Sequence, residues 1–372
     1  MSAPDTERDA SDAERELLRD TVAGLLAGHC TPERVAAAAR TGWDADLWQV
    51  AQSTGLTLAG TPEEAGGSGG DLAAAADIAV AAGAAAAPVP LAETLAAGML
   101  LARTGLAVPS GPLTLAVAPA RGAVLRRVPY GRVATTVAAG PGQDGDWLAV
   151  IARPAGARPG RNLAGEPRDE VEPGPDAEVH HVPAGTAEYA RRLARLFRAL
   201  LIAGAAQRAL DLTVTYARER EQFGRPLARF PTVQQELARM AGEVALIVAA
   251  TQAAVADHQA AMAGHQAAAG VVPAVLAAKA QASHGAGIVA AIAHQLHGAI
   301  GTTQEHRLRL TTTRLWSWRD EDGTEAECRA ELGRAALAAA RGAGGTVGTL
   351  GTVGTGGTVG TGGLWPWLSG SL

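Results

Sequence analysis

The chain has 372 residues, which is more than one hydrophobic core usually serves, so we expect two or three packed units. Apolar residues make up 47% of the sequence but aromatic residues only 3%, and this alanine-rich composition favours close-packed helices over a sheet of β-branched and aromatic side chains. The net charge of −5 and the pI near 6.0 give no field that would gather nucleic acid or an anionic membrane, and we exclude both as partners.

Residues 1–106 are predicted to form an N-terminal helical domain. Ser11-Asp12-Ala13-Glu14 is a capping-box pattern, and apolar residues recur after it with helical period. The first helix is therefore expected to begin at Ser11. Further helices are predicted from about Asp44 to Ser53, from Asp71 to Ala82 and from Leu91 to Arg103.

Residues 107–186 are predicted to form a small central β domain. Short apolar runs alternate there with Gly, Pro and Asp-Gly turns, which is typical of strands joined by tight connections. The runs that we assign to strands are Leu113–Val117, Arg132–Val137 and Trp147–Ile151.

Residues 187–341 are predicted to form a C-terminal four-helix bundle, because long helices with short connections pack in that way. The predicted helices are Glu188–Glu221, Thr232–Ala263, Val272–His297, Glu305–Trp318 and Glu325–Ala340. The fold class is therefore mainly α. Residues 342–372 are a Gly/Thr-rich low-complexity tail, which we expect to be disordered because it cannot bury enough apolar surface to offset its ordering entropy.

The N-terminus predicts no targeting segment. Met1–Asp12 is polar and acidic and has no apolar core of the kind that a signal peptide needs. The alanine-rich stretch Leu72–Ala102 is interrupted by Asp77, Pro88, Pro90 and Glu93. We therefore predict neither a signal peptide nor a spanning helix, and expect a cytoplasmic protein.

A metal site is not predicted. Cys30 and Cys328 are the only cysteines and lie in unrelated contexts, so no thiolate site or disulfide framework follows from them. His294 and His297 are one helical turn apart, but no third ligand lies near them in the sequence. We interpret them as buried or capping histidines.

Three segments of the C-terminal half have the composition of a ligand site. In Arg220-Glu221-Gln222-Phe223-Gly224 an arginine precedes a helix-ending glycine turn, which can present a guanidinium to a pyrophosphate. The segment Gln295–Gly301 offers an amide side chain and glycines that let a ligand approach the backbone. The acidic turn Asp320–Thr324 is expected to cap the last helix through Thr324 or Asp322. A phosphate-bearing small molecule is also indicated by the arginine cluster Arg191, Arg192, Arg195 and Arg198.

In their order and separations these segments resemble the acyl-CoA dehydrogenase family. The family patterns R-E-x-F-G-x-P-[LI]-x-x-F-x-x-V-Q, Q-x-x-G-G-x-G and E-G-T have counterparts that start at Arg220, Gln295 and Asp322. The resemblance covers about Ser11 to Arg334 and is strongest in the last third. A helical domain, a small β domain and a four-helix bundle also make up the family's architecture.

The resemblance implies that FAD binds between subunits and that the Cα–Cβ bond of an acyl-CoA is oxidised, in fatty acid or lipid metabolism. It also implies a dimer or a dimer of dimers, formed from one chain or with family members, and electron-transfer flavoprotein or a similar electron acceptor. Arg195 matches an arginine near the acyl-CoA. The residues implied to contact FAD are Arg220, at the pyrophosphate, and Gln222, Phe223, Gln295, Leu296, Gly298, Ala299, Gly301 and Thr324.

The reaction needs a carboxylate that removes the α-proton of the thioester. Asp322 matches the family's base, although most members have glutamate there, and the alternative base position of some members is matched by Ala194. Aspartate is one methylene shorter, and a misplacement of about 1 Å can cost on the order of a hundredfold in rate. Asp322 is the predicted catalytic residue; the alternative is that Asp320, Glu321 and Asp322 are a solvated acidic run.

Three hypotheses follow. The chain is an FAD-dependent acyl-CoA dehydrogenase with Asp322 as its base, or a partner subunit that completes the FAD site of a catalytic homologue in a heterotetramer, or a helical scaffold without cofactor. The β domain, which lacks a clear match to the flavin-contacting strand and tryptophan, and the aspartate at position 322 both point to the second hypothesis. Two other departures from the family pattern weaken the flavin assignment: Ala299 replaces a glycine, and Pro231 replaces a frequent glutamine.

Overall fold

The computed structural model describes residues 3–262, 271–303 and 306–343. Five helices come first, two small sheets follow them, and long helices complete the chain. This arrangement confirms the predicted mainly α fold class with its helical N-terminal part, small sheet domain and helical C-terminal part. The predicted tail from residue 344 onward lies outside the described residues.

The N-terminal helices are α1 (Ala3–His29), α2 (Pro32–Thr41), α3 (Ala45–Ser53), α4 (Leu72–Ala85) and α5 (Leu91–Arg103). The first helix begins at Ala3 rather than at the predicted Ser11, because no helix-breaking residue precedes the capping-box pattern except Pro4. Proline is tolerated in the first turn of a helix, where its missing N–H leaves no intrahelical bond unmade. The capping-box pattern therefore lies inside α1.

Helix α2 was not predicted, although its start has a local signal. The hydroxyl of Thr31 accepts a hydrogen bond from the backbone N–H of Arg34, and Pro32 occupies the first helical position. This combination of a capping residue and a first-turn proline is typical of a helix N-terminus. The alanine run that follows has too few large apolar residues to show a helical period.

Helices α4 and α6 (Thr186–Glu219) approach each other at two glycines. A Cβ atom added at Gly204 of α6 would lie 1.9 Å from the backbone oxygen of Val80, and one at Gly83 of α4 would lie 2.2 Å from the backbone oxygen of Leu201. Real Cβ atoms do not approach other atoms so closely. The two backbones can therefore touch only because both positions have no side chain.

Replacing Gly204 with alanine is expected to lower the free energy of unfolding by about 3 kcal/mol, the upper part of the range for an overpacked core. The clash is with the backbone of Val80, so relief requires the two helices to separate. Urea denaturation measures the loss. The control is Gly242→Ala on α7 (Pro231–Met262), where the added Cβ has no neighbour within 4 Å and stability should stay equal or rise. Equal stabilities of the two variants would contradict this close approach.

The central domain consists of two sheets. The strands are β1 (Leu113–Val117), β2 (Leu125–Pro129), β3 (Thr135–Pro141), β4 (Asp146–Ile151), β5 (Gly156–Arg158), β6 (Arg168–Glu172) and β7 (Glu178–Val182). The first sheet has the strand order β1-β3-β4-β7 and the second has the order β2-β6-β5. Strands β1 and β3 are parallel, and the other neighbouring strands are antiparallel.

The predicted strands agree with β1 and β4, but the run Arg132–Val137 does not form one strand. Its first residues lie in the turn before β3, which follows Tyr130 with its left-handed backbone (φ 53°). Trp147 is buried in a cluster with residues of both sheets, and its indole N–H donates to the backbone oxygen of Pro141 at 3.0 Å. This tryptophan stabilises the central domain itself.

The bundle contains α6, α7, α8 (Val271–His297), α9 (Leu308–Trp318) and α10 (Glu325–Ala343). Each corresponds to a predicted helix within a few residues, but α6 ends at Glu219, before the predicted Glu221.

By length and composition alone, α7 and α8 are apolar enough to cross a membrane. Helix α8 packs against α6, α7 and α10, so the bundle core accounts for its apolar composition.

His258 of α7 is buried beside Tyr189 of α6. It is 2% exposed, and its Nε2 lies 3.4 Å from the tyrosine hydroxyl. The guanidinium groups of Arg103 and Arg192 lie 4.6 and 5.6 Å from the centroid of the same tyrosine ring. Burial, together with the positive charges of Arg192 and Arg103, lowers the pKa of His258 from 6.5 to about 4.

The buried imidazole predicts a loss of stability in acid. Between pH 6.5 and pH 4 the unfolded chain binds a proton at His258 that the folded chain does not bind, so the free energy of unfolding falls as the pH falls, by up to about 3 kcal/mol from this residue. The test compares the pH dependence of urea denaturation for the wild type and His258→Gln. The free energy of unfolding of the variant should fall less steeply between pH 6.5 and pH 4 than that of the wild type. Identical pH dependences of the two proteins would contradict the prediction.

Candidate cofactor and substrate site

The first predicted motif forms a hairpin at the end of α6. Arg220 ends the helix, and two short strands, β8 (Glu221–Gln222) and β9 (Arg225–Pro226), pair around Phe223 and Gly224. Both turn residues have left-handed backbones, with φ of 53° and 76°. This conformation is easy for glycine but strained for phenylalanine. The Phe223 side chain is nevertheless 93% exposed, so the hairpin presents a strained aromatic residue to the outside.

The hairpin is held by aromatic contacts. Arg225 lies over the ring of Phe230 at 4.1 Å, and the rings of Phe223 and Phe230 meet edge to face with centroids 6.3 Å apart. Arg220 and Gln222 are exposed beside them. The guanidinium of Arg220 forms no ion pair with any described side chain, so it is available to an anionic group.

The second predicted motif lies where α8 ends. Gln295 and Leu296 are in its last turn, and residues Gly298–Thr302 form a short 3-10 helix. Gly298 has φ 64° and open space around its missing side chain, whereas a Cβ at Gly301 would lie 2.9 Å from the Cβ of His297. Gly298 therefore leaves the backbone open to a ligand, and Gly301 is needed for packing.

An aromatic stack joins the two motifs. Tyr216, near the end of α6, stacks on His297 with centroids 4.3 Å apart, and its hydroxyl donates to the backbone oxygen of His297 at 3.4 Å. His306 meets His297 edge to face at 4.8 Å. The two segments that the sequence singled out thus lie at the same end of the bundle.

The histidines of this region have structural partners. His294 bonds Thr312 at 2.9 Å, and Nδ1 of His297 lies 2.8 Å from the backbone oxygen of Ala293. Burial lowers the pKa of both imidazoles. Across residues 3–262, 271–303 and 306–343, no group of His, Cys, Asp and Glu side chains is arranged to hold a metal ion.

The third segment is the turn before α10. Thr324 caps that helix: its hydroxyl accepts from the backbone N–H of Glu327 at 3.2 Å, and Glu327 in turn accepts from the backbone N–H of Thr324 at 2.8 Å. Asp322 and Gly323 have left-handed backbones with φ of 56° and 110°. The predicted cap at Thr324 is therefore confirmed, and the same turn orients Asp322.

A buried lysine, which the sequence analysis missed, holds this turn. Nζ of Lys279 donates to the backbone oxygens of Gly323 and Arg319 at 2.7 and 3.1 Å and to Oγ of Ser283 at 2.6 Å. Lys279 is fully buried, and burial lowers its pKa to about 8. Its three donors are all satisfied, so the turn is fixed at both of its ends.

Asp322, the predicted base, is paired with an arginine. Nε of Arg198 donates to its carboxylate at 2.9 Å, and the same guanidinium lies 3.3 Å from Glu93 and 3.4 Å from Glu321. Burial opposes the charge of Arg198, but Glu321 and Asp322 outweigh it and raise its pKa. The Arg198 side chain is 4% exposed and that of Asp322 30%.

The residue before Asp322 belongs to a buried ionic network. Arg168 of β6 donates to both carboxylate oxygens of Glu321 at 2.7 and 2.9 Å. Glu166 forms an ion pair with Arg314, whose Nε lies 3.0 Å from its carboxylate, and accepts a hydrogen bond from the indole of Trp318 at 2.8 Å. Burial opposes ionisation of Glu321, but Arg168 and Arg198 prevail and lower its pKa to about 2. The alternative that this acidic run is solvated is thus wrong for Glu321.

Asp322 lies between a nearly filled pocket and an open groove. On one side is a cavity of about 20 Å³, lined by Glu93, Arg198 and apolar residues of α5, α6 and β1, which has room for about one water molecule. On the other side is a groove of about 700 Å³ between β1, β2, α6 and the turn of Asp322. Ala194 lines both spaces, so no carboxylate replaces Asp322 from that position.

Arg195, the predicted substrate contact, also borders the large groove. Its guanidinium is engaged within the chain: it forms two bonds to Glu331 at 2.8 and 3.2 Å, and its Nε donates to the backbone oxygen of Asp322 at 3.3 Å. Arg195 therefore supports the turn that orients Asp322. Three members of the arginine cluster thus bind carboxylates of the chain itself: Arg191 pairs with Glu188, Arg195 with Glu331, and Arg198 with Asp322.

A helical domain, a two-sheet domain and a bundle that carries these three motifs define the acyl-CoA dehydrogenase class of FAD-dependent oxidoreductases of lipid metabolism. The profiles "Acyl-CoA dehydrogenase, N-terminal domain" and "Acyl-CoA dehydrogenase, C-terminal domain" match residues 12–107 and 177–337. The chain belongs to the acyl-CoA dehydrogenase family, and the resemblance inferred from the sequence is confirmed.

Curated relatives support the same assignment. The chain is 36% identical over 310 residues to acyl-CoA dehydrogenase IpdE2 of Mycobacterium tuberculosis, a match that covers 80% of this chain and 89% of that protein. It is 33% identical over 309 residues to the protein of the same name from Mycolicibacterium smegmatis, with 80% and 90% covered.

Solved structures share the fold. The Tcur3481-Tcur3483 steroid ACAD has a TM-score of 0.79 and 25% identity, with 89% of this chain and 99% of that chain covered. The ChsE4-ChsE5 complex of Mycobacterium tuberculosis has a TM-score of 0.77 and 23% identity, with 87% and 97% covered.

Proposed function

We propose that this chain is a partner subunit of a mixed acyl-CoA dehydrogenase oligomer, in which the hairpin of Phe223 and the segment Gln295–Gly301 complete the FAD site of a catalytic homologue. The observation that supports this most is the pairing of Asp322 with Arg198 at 2.9 Å. One carboxylate oxygen at the base position is committed to a buried guanidinium. A general base must instead direct its oxygen at the proton that it removes.

The space beside Asp322 supports the same role. The cavity of about 20 Å³ is bounded by Glu93 and Arg198, whose side chains lie 3.3 Å apart. An acyl chain needs apolar space, and burying a charged pair against it without water is unfavourable. The small cavity therefore offers no acyl pocket on this side of Asp322.

The exposed end of the bundle is suited to a shared cofactor. Phe223 combines backbone strain with almost complete exposure, and strain of this kind is concentrated at functional sites. Arg220 has no carboxylate partner among the described side chains, and Gly298 leaves the backbone open. These features fit the pyrophosphate and adenosine parts of FAD, which takes up the β-hydride of the acyl-CoA when it is bound.

In this arrangement the chain's own residues bind and orient. Arg220 would hold the pyrophosphate of the cofactor, the 3-10 turn after α8 would admit the adenosine to its backbone, and Phe223 would exclude water at the subunit boundary. The catalytic homologue provides the carboxylate that takes the α-proton and the pocket for the acyl chain. Electron-transfer flavoprotein or a similar protein would be the electron acceptor of such an assembly.

The names of similar structures agree with a mixed assembly. The Tcur3481-Tcur3483 steroid ACAD and the ChsE4-ChsE5 complex are both named as pairs of different proteins. By analogy, we propose a heterotetramer for this chain. The domain boundaries 1–106, 107–186 and 187–341 remain predictions.

One observation favours a second candidate function, that of a dehydrogenase with Asp322 as its own base. The carboxylate is 30% exposed and borders the groove of about 700 Å³, which is large enough for a substrate. In that case the substrate would have to enter from the groove and displace Arg198.

The experiment is to express the chain alone and with neighbouring family members, and to record the visible spectrum of each preparation. We expect little flavin absorbance from the chain alone and one FAD per catalytic subunit from the mixed complex. A flavin band from the chain alone, bleached by an acyl-CoA, would support the second candidate and overturn the first. If no preparation contains flavin, the chain is a scaffold without cofactor and both candidates are wrong.

A further inference from the structure

A second cavity shares no lining residue with the pockets around Asp322. It lies between α1, α4, α6 and α7 and has a volume of about 310 Å³. At about 30 Å³ for each water-sized group, it has room for roughly ten heavy atoms. Its floor is apolar and consists of Ala76, Val80, Leu200, Ala203, Val248, Val255 and Ala256.

The alanines explain why the cavity exists. Where α4 and α6 touch at Gly83 and Gly204, their backbones are in contact. Further along, the small side chains of Ala76, Ala203 and Ala256 do not fill the space that α7 leaves.

The rim of this cavity has an excess of positive charge. Arg15 and Arg19 lie one turn apart on α1, and their Nε atoms share the single carboxylate of Asp77 at 2.6 and 3.1 Å. Asp77 is 12% exposed, whereas the two arginines are 36% and 49% exposed. Among the described side chains neither arginine has a second carboxylate within 4.0 Å, so there two guanidinium groups share one carboxylate.

We propose that this cavity binds a medium-chain carboxylate, with its alkyl chain on the apolar floor and its carboxylate on Arg19. Two guanidinium groups that share one carboxylate can attract a further monoanion, and a guanidinium pairs well with a carboxylate. The amide of Gln252 lies on the same rim and can donate to the second oxygen. A nucleotide or a CoA moiety would place polar groups against the apolar floor.

The inference goes beyond the proposed function and does not depend on it. None of the residues at the hairpin, at Gln295–Gly301 or around Asp322 lines this cavity. The ligand is a free carboxylate, whereas the family's substrate is a thioester. Binding can therefore be measured on the full chain whether or not it contains FAD.

The test is calorimetric titration of the full chain with sodium octanoate, which has ten heavy atoms, and with 1-octanol as the uncharged probe of equal chain length. We expect octanoate to bind at least tenfold more tightly than octanol. Arg19→Gln should weaken octanoate binding at least fivefold and leave octanol unchanged. Ala256→Leu, which fills the cavity from an exposed position, should abolish both. The control Arg329→Gln, on the exposed face of α10, should change neither.

The proposal is overturned if octanoate does not bind, if octanol binds equally well, or if Arg19→Gln and Ala256→Leu both retain the wild-type affinity. Circular dichroism of each variant verifies that the helices are intact. The titration is then repeated on the complex with a catalytic homologue. Retained binding supports the proposal, whereas loss of binding shows that a neighbouring subunit covers the cavity and overturns it.

Discussion

Replacing Arg168 with methionine is expected to lower the free energy of unfolding by about 4 kcal/mol. Arg168 makes two bonds to Glu321, at 2.7 and 2.9 Å, and both residues are at most 7% exposed. Methionine occupies a similar volume but leaves the Glu321 charge buried without its main partner. Removing one partner of a buried ion pair lowers the free energy of unfolding by about 3–5 kcal/mol for this reason. Urea denaturation near pH 7 measures the effect.

Two further variants separate charge from packing. Arg168→Met combined with Glu321→Met removes both charges and should recover part of the loss. Arg158→Met removes a surface partner of Glu170, 3.5 Å away, and should cost less than about 1 kcal/mol. If Arg168→Met is no less stable than Arg158→Met, the buried network does not hold the central domain on the bundle.

Replacing Arg220 with alanine is expected to weaken FAD binding by the mixed complex at least about a hundredfold, which corresponds to about 3 kcal/mol. The arginine ends α6 beside the hairpin and has no ion pair among the described side chains, so its loss removes a phosphate contact and little folding energy. Titration of the flavin-free complex with FAD, followed by flavin fluorescence, measures the dissociation constant.

The matched control is Arg218→Ala. Arg218 is exposed in the last turn of the same helix, two residues before Arg220. Its replacement by alanine removes the same charge from the same end of α6. It should change the dissociation constant by less than about threefold, since only long-range attraction is lost. Equal effects of the two variants would show that the cofactor senses general charge and not a contact with Arg220.

The helices could largely be predicted, because alanine-rich segments with a helical period and local capping residues define them. Helix α5 begins at Leu91 and ends at Arg103 as predicted. Strands β2 and β6 could not be predicted, since Arg126 and Arg168 and their charged neighbours hide the apolar alternation of a strand. The charge of Arg168 is compensated by Glu321, 153 residues away along the chain, and no local pattern indicates such a partner.

The same distinction applies to the site. The turns at Gly224 and Gly298 and the cap at Thr324 have local signals, and the structure has the hairpin, the open backbone and the capping box at these positions. The partner of Asp322 could not be predicted, because Arg198 is 124 residues away. The arginines near Arg198 in the sequence instead indicated a phosphate ligand.

The chemistry of Asp322 depends on the residues that contact its side chain. The turn Asp322-Gly323-Thr324 is formed as the sequence predicts, and Lys279 fixes it by donating a hydrogen bond to the backbone oxygen of Gly323. Arg198 pairs with the Asp322 carboxylate at 2.9 Å, and Arg198 and Glu93 line the small cavity on one side of it. A carboxylate at the base position therefore does not by itself make this chain a catalyst.

The most direct test of this account is the turnover of the mixed complex that contains Asp322→Asn. Asparagine keeps the shape of aspartate and can still accept a bond from Arg198, so the turn should remain intact, and retained FAD absorbance verifies it. If the chain is the partner subunit, the rate of acyl-CoA oxidation should stay within about twofold of the wild-type complex, because the base lies in the homologue. A loss of a hundredfold or more with full FAD content would show that Asp322 removes the proton and would contradict the account.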